Sequence, residues 1–364
     1  MVRWRRFTGV TSLAAGATAA ALGAAVVAEK IAIGRIRLRP DPAAAEPLGQ
    51  LRGRELSVVA DDGLVLHTEI DGRHKKPQVT VIFSHGYTLN QDCWHYQRRD
   101  LGAAGNPYRL VFWDQRSHGR SGRSDPQNEN IDQLGRDLYA VIRAAAPGGA
   151  PVVLVGHSMG GMTIMALAEQ HPELFGSKVT GVALISTCAD GLAEVTLRLP
   201  PPLRTVLRHA APGVIRGAAK GRRLAFVERA RQAGGDLAFL GTRFIAFGDP
   251  ATSPTITDFV EQMIRATPVE VVARFFEALI EHDRMACLPA VGKVPTLVIA
   301  GGKDRLTPES LAAKMAARIP GAELAVDEGA GHVIMLERPE FVTARLRELI
   351  DRAGATMGRR ARSA

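Results

Sequence analysis

The pentapeptide Gly156-His157-Ser158-Met159-Gly160 constrains this chain more than any other stretch. It directly follows the continuous apolar run Val152–Val155 and opens a helical stretch running to Gln170. A buried strand, a very tight turn and a helix must therefore meet at Ser158. Glycine two places to either side, at Gly156 and Gly160, leaves room for so close an approach. A serine at the apex stands clear of the sheet. The helix behind it aims its first N–H groups at any negative charge that develops there. The plainer alternative is a serine in an ordinary glycine-rich turn, which requires neither the strand before it nor the helix after it.

The same alternation continues along the chain. Val79–Phe83, Leu110–Trp113, Val179–Ile185, Leu297–Ala300 and Glu323–Val326 are further short β runs, mostly continuous and apolar as in strands buried on both faces. Helical patterns lie near 130–145, 159–170, 308–318 and 338–352. Ahead of them, Glu55–Ala60 and Leu64–Ile70 flank Asp61-Asp62-Gly63, a hairpin signal. Strands alternating with helices imply an α/β domain, a parallel sheet with helices on both sides. The alternation stops between 190 and 282, where the sequence is helical in character and holds seven of the twelve Phe residues. That stretch reads as an inserted helical cap, dividing a core of 55–189 and 283–353. Ordinary packing between cap helices accounts for most of those phenylalanines. Residues 198–231 also carry nine Arg or Lys against Glu228 alone.

A serine hydroxyl is a poor nucleophile near neutral pH and needs a general base. His332 ends Gly329-Ala330-Gly331-His332, just past the last strand, where a glycine-rich loop can deliver an imidazole to the sheet edge. An acid must orient that imidazole and stabilise its cation. Asp304 ends Gly301-Gly302-Lys303-Asp304, just past Leu297–Ala300. Asp283, beside His282, is the alternative acid, but no strand precedes it. His85-Gly86-Tyr87 follows the strand Val79–Phe83. The backbone N–H of Tyr87 is the candidate second oxyanion donor, with that of Met159 as the first and Gly86, Gly156 and Gly160 as structural support. His67, His74, His95, His171 and His209 have no metal-ligand spacing, and Cys93, Cys188 and Cys287 form no CxxC pair. No metal and no cofactor is expected.

The set His85-Gly86, Asp114-Gln115-Arg116-Ser117-His118-Gly119-Arg120-Ser121, Gly156–Gly161, Asp304 and Gly331-His332 resembles the α/β-hydrolase superfamily, in its capped, lipase- or esterase-like serine hydrolase form. The resemblance spans about residues 55–350. It implies a mostly parallel eight-stranded sheet flanked by helices, with an inserted helical cap. The family loop usually reads Asp-x-Arg-Gly-x-Gly-x-Ser, and Ser117 departs from its first glycine. The resemblance makes that loop structural and keeps Asp114 and His118 off the triad. It makes His157 a residue that packs or hydrogen-bonds locally. It implies cleavage of a carboxylic ester through an acyl-enzyme, with a hydrophobic or lipid-like acyl group. A cofactor-free perhydrolase (haloperoxidase-like), a carbon–carbon bond hydrolase or an acyltransferase fits the same triad. Serine at the nucleophile position disfavours the epoxide-hydrolase and haloalkane-dehalogenase branches, which carry Asp there. The reading from another class is a non-catalytic, membrane-tethered binding protein on this scaffold.

The charge of +9 sits mainly at the ends of the 364 residues. Residues 1–40 hold seven Arg or Lys against Glu29, and residues 352–364 hold four Arg and no acid. A near-neutral globule with two basic ends excludes the basic, aromatic-studded face of a nucleic-acid binder. Arg3, Arg5 and Arg6 precede Phe7–Ala28, an uncharged run of 22 residues with nine Ala and three Gly. About 20 apolar residues cross a bilayer core as a helix. The segment 1–40 is therefore a membrane anchor, a signal peptide cut after Ala28, or an alanine-rich soluble helix. Basic residues on both sides leave its orientation open. Residues 41–54, with prolines at 40, 42 and 47 marking the stretch, read as a linker, and residues 354–364 as a basic, disordered tail.

Overall fold

The computed structural model describes residue 30 and residues 33–72, 77–103, 106–198 and 235–363. Eight strands form one sheet: β1 (Arg54–Val59), β2 (Val65–Gly72), β3 (Thr80–Ser84), β4 (Arg109–Trp113), β5 (Val152–His157), β6 (Val179–Ile185), β7 (Thr296–Gly301) and β8 (Glu323–Asp327). Their spatial order is β1-β2-β4-β3-β5-β6-β7-β8. The hairpin expected around Asp61-Asp62-Gly63 forms with Val59 opposite Val65, and Gly63 takes φ +84° at its turn. β2 pairs antiparallel with both β1 and β4, and every other pair is parallel. This is the mostly parallel eight-stranded sheet that the resemblance implies, with the α/β alternation read from the strand runs.

The helices are α1 (His95–Leu101), α2 (Ile131–Ala145), α3 (Met159–Gln170), α4 (Leu192–Arg198), α5 (Gly235–Ala246), α6 (Pro254–Ala266), α7 (Val269–Ile280), α8 (Leu288–Val291), α9 (Glu309–Ala316), α10 (Ile334–Glu337) and α11 (Pro339–Ser363). Their starts follow local chemistry. Asn130 caps α2 by accepting the Gln133 N–H at 2.9 Å, and Ser253 caps α6, whose first residue is a proline. Along β5, Val152 and Leu154 enter one core layer and Val153 and Val155 the other. The continuous apolar strands thus have helices to bury against on both faces, each such side chain contributing about 1.5–3 kcal/mol of transfer free energy.

Between β6 and β7 the described chain is helical, α4 to α8. Of the phenylalanines there, Phe239, Phe247 and Phe275 are buried, Phe259 packs against the core, and Phe244 is exposed. Phe226 and the basic stretch beyond Arg198 lie outside the described residues.

Residues 41–54, read as a linker, pack against the fold as a strap. Asp41 accepts hydrogen bonds from Thr255 N–H at 3.1 Å and from the hydroxyls of Thr255 and Ser253. Ala43 is buried, and the Glu46 carboxylate binds His95 at 2.9 Å and Arg99 at 2.8 Å. Proline and glycine set the bends of this strap, while its acidic side chains supply the fixings. At the other end, α11 runs to Ser363. The run Phe7–Ala28 lies outside the described residues. Among the described residues no helix is long and apolar enough to cross a membrane.

Candidate active site

Ser158 stands between β5 and α3 with φ +52° and ψ −117°. A non-glycine residue held there is strained, and the surroundings hold it. Its N–H donates to Ile185 O at 2.9 Å, and its carbonyl accepts from Gly161 N–H at 2.9 Å and Thr187 hydroxyl at 2.8 Å. The flanking glycines are sterically required. A Cβ on Gly156 would lie 2.4 Å from Gly160 O, and one on Gly160 would lie 2.1 Å from Ser84 O. Absence of both side chains lets α3 start directly on the ends of β3 and β5.

Three strand ends converge on this point. The Ser158 hydroxyl lies 3.1 Å from His332 Nε2, and His332 Nδ1 lies 2.8 Å from Asp304 Oδ2. A carboxylate only accepts, so Nδ1 carries the proton and Nε2 offers its lone pair to the serine. Asp304 is fixed in turn by the N–H groups of Leu306 at 2.8 Å and Thr307 at 2.9 Å, and by the Thr307 hydroxyl at 2.8 Å. Burial pushes the Asp304 carboxyl up, but the His332 imidazole and the Thr307 hydrogen bonds outweigh it and hold it below the usual range. Asp283 is exposed and accepts the Met285 N–H at 3.2 Å. The structure brings Asp304, not Asp283, to His332.

Gly86 packs its backbone against the same turn, since a Cβ there would lie 3.3 Å from Ser158 Cβ. Tyr87 follows Gly86 in the loop after β3, and Met159 is the first residue of α3, directly after Ser158. His85 secures this loop. Burial lowers its pKa to about 4, so it is neutral. Its Nδ1–H donates to Gly86 O at 2.8 Å, and its Nε2 accepts the Gln115 N–H at 2.9 Å. Gln115 in turn donates to His85 O at 2.5 Å and accepts from the Thr163 hydroxyl of α3 at 2.6 Å.

The β4 loop is held by hydrogen bonds within itself and to neighbouring segments. Asp114 accepts the N–H groups of Gln91 at 2.7 Å and Arg120 at 2.8 Å, and His118 binds Arg116 O at 2.9 Å. Ser117, where the family pattern has glycine, sits at φ +63°. Its hydroxyl compensates by donating to Glu129 at 2.5 Å and accepting Ser124 N–H at 3.0 Å. His157 differs from the expected local role. Its Nε2–H donates at 2.9 Å to the carbonyl of His332, in a distant loop. Burial, with the His332 imidazole alongside, lowers its pKa to about 3 and keeps it neutral.

Glu337 was not visible as a site residue in the sequence. Its buried carboxylate accepts Gly331 N–H at 2.7 Å, Gly248 N–H at 3.0 Å and Asp249 N–H at 2.6 Å. It ties the loop carrying His332 to the chain between α5 and α6. Its one sequence signal is a carboxylate closing the apolar run Val333–Leu336 directly behind His332. Ser158 and His332 open onto a cavity of about 360 Å³ with mostly apolar walls, near the lower end of the ~300–1,000 Å³ of ligand pockets. Among the described residues no group of three His, Cys, Asp or Glu is placed to hold a metal ion.

The α/β hydrolase fold family model matches residues 79–339. An AB hydrolase superfamily protein, YisY, of Bacillus subtilis is 27% identical over 273 residues, covering 74% of this chain and 90% of that protein. A monoacylglycerol lipase of Mycolicibacterium smegmatis is 28% identical over 141 residues, covering 38% of this chain and 48% of the lipase. Among solved structures, a thermophilic esterase from Thermogutta terrifontis superposes with TM-score 0.64 at 24% identity, over 83% of this chain and all of that one. That last likeness concerns the fold.

Proposed function

The chain belongs to the α/β-hydrolase family, and on that premise we propose that it is a serine hydrolase cleaving carboxylic esters with a hydrophobic, lipid-like acyl group. The observation that carries the reading is the hydrogen-bonded line Ser158–His332–Asp304, opening on an apolar cavity. In this mechanism His332 Nε2 takes the Ser158 proton as Oγ attacks the ester carbonyl. Asp304 holds the imidazole in the required tautomer and stabilises its cation. The tetrahedral oxyanion sits between the N–H groups of Tyr87 and Met159, each donor of this kind contributing about 2.7–4 kcal/mol. His332 then protonates the leaving alcohol, and afterwards activates the water that releases the acid.

The apolar walls support a hydrocarbon acyl chain rather than a charged one. The similarity to a monoacylglycerol lipase points the same way, though it spans less than half of that protein. The uncharged run Phe7–Ala28 supports attachment to a membrane, or export across one, and a lipid ester as substrate fits either. Hydrolysis of p-nitrophenyl esters from acetate to palmitate by the full chain tests the reading. Wild type turns over the series and Ser158→Ala and His332→Ala do not. Turnover by Ser158→Ala, or none by wild type, would overturn it.

A further inference from the structure

We infer that Tyr87 is a specificity-determining positioning residue, through which the helix lining the acyl cavity holds the oxyanion loop. The inference rests on the ester-hydrolase reading above. Tyr87 has two ends with different tasks. Its backbone follows Gly86, which packs against Ser158, while its hydroxyl donates to the carbonyl of Val272, in α7. The next residue is tied the same way. The Thr88 carbonyl accepts from the hydroxyl of Thr267, just ahead of α7, at 3.3 Å.

Thr88 also adopts φ +61°. A β-branched residue avoids that region, and such strain persists only where neighbouring structure holds it. On its other side the loop is fixed to α3 through His85, Gln115 and Thr163. It is thus suspended between the helix that begins at Ser158 and α7. Val272, Phe276 and Leu279 of α7 line the cavity. One of the helices that line the cavity is therefore an element from which the oxyanion loop hangs. A chain that fills the cavity presses α7 into place and sets the loop. A short chain leaves the cavity wall unsupported. Selectivity for acyl length then appears in kcat, because oxyanion donors act on the transition state rather than on bound ester.

The test is steady-state kinetics on p-nitrophenyl acetate, butyrate, hexanoate and octanoate, with the full-length wild type, Tyr87→Phe and Thr267→Val. Wild-type kcat rises with acyl length. Tyr87→Phe keeps the ring and loses one hydroxyl, and a single hydrogen bond at this position corresponds to about a three- to tenfold effect. The expected result is a three- to tenfold loss of kcat on the longer esters, a much smaller one on acetate, and an unchanged trend of KM with length. Thr267→Val shows the same pattern more weakly, and it reports independently should Tyr87→Phe melt early. A kcat that is flat with length in the wild type overturns the inference. So does an equal loss on every ester, which marks a tether indifferent to the cavity, or a length dependence unaltered in both variants. Absence of wild-type turnover on all four esters overturns the ester reading itself, and this inference with it.

Discussion

Removing the Glu337 carboxylate tests how the base is held. The group is 8% exposed and receives the N–H groups of Gly248, Asp249 and Gly331. Gly248 and Gly331 are packed backbone to backbone, since a Cβ on Gly331 would lie 2.4 Å from Gly248 N. Gly248 and Gly331 are buried, so their N–H groups depend on this carboxylate, whereas Asp249 is half-buried and can reach solvent. Glu337→Ala leaves two buried N–H groups unpaired. At about 1.5–3 kcal/mol for each hydrogen bond to a charged acceptor, the loss is about 3–6 kcal/mol. A typical domain has about 5–15 kcal/mol in total, and at ~2–4 °C per kcal/mol Tm falls on the order of 10 °C. Activity falls as well, because Gly331 precedes His332, and a misplacement of about 1 Å can lower a rate ~100-fold. Glu337 does not line the cavity, so kcat carries the loss and KM stays near wild type. Glu337→Gln keeps the shape and one acceptor oxygen but turns an amide donor toward an N–H, and falls between. Thermal melts and p-nitrophenyl butyrate kinetics read both effects. An alanine variant melting within about 2 °C of wild type, with unchanged kcat, would refute the argument.

Gly160→Ala places a methyl 2.1 Å from the Ser84 carbonyl, a backbone group at the end of β3 that cannot turn aside. Overpacking of this kind costs about 1–3 kcal/mol and here also displaces Ser158, so soluble protein is recovered at lower Tm and without esterase activity; wild-type kinetics would contradict this. Acid sensitivity is the other expectation. Burial lowers His85 and His282 to about 4, and His118 and His157 to about 3. In the unfolded chain each sits near the ordinary value of about 6.5. The unfolded state therefore binds more protons, so stability is full above about pH 6.5 and is lost as pH falls from there toward 4 and 3. At pH 5 each histidine forfeits about 2 kcal/mol. Urea midpoints should drop steeply between pH 7 and pH 5, and a flat profile would show that these imidazoles are not buried neutral.

Much of the sheet is legible because its strands are continuous apolar runs separated by turn chemistry, and the structure shifts their ends by only one or two residues. Ser158, Asp304 and His332 are legible for a related reason. Each follows a strand in a glycine-containing segment, and a reactive side chain at such a place has few structural uses. Helix α1 is not legible. His95–Leu101 lacks an apolar period, and it is buried through polar partners far away in the chain. Arg98 pairs with Glu69 and Asp71 at 2.5 Å, and Gln97 donates to Met335 O at 3.1 Å. The strap at 41–54 is hidden by the same chemistry. Asp41 and Glu46 look like solvated charges until α6 and α1 stand beside them. Ser117 misleads in the opposite direction. A missing glycine suggests a damaged loop, but a serine at φ +63° uses its hydroxyl to bridge Glu129 and Ser124.

The fixings of the site fall in a class that residue patterns do not display. His157 holds the carbonyl of His332, Glu337 holds the N–H of Gly331, and His85 holds the carbonyl of Gly86. In each case a side chain binds a main-chain group. The acceptor or donor position keeps no mark of the contact in its identity, because every residue brings the same carbonyl and all but proline the same N–H. Only the side-chain partner is specific, and on its own it resembles any buried polar residue. The reacting groups must be particular side chains and so can be found by type and spacing. Holding them to the tolerance of about 0.5 Å that catalysis needs depends on backbone groups brought together by topology. A sequence can therefore name the atoms that would react well before it reveals what keeps them aligned.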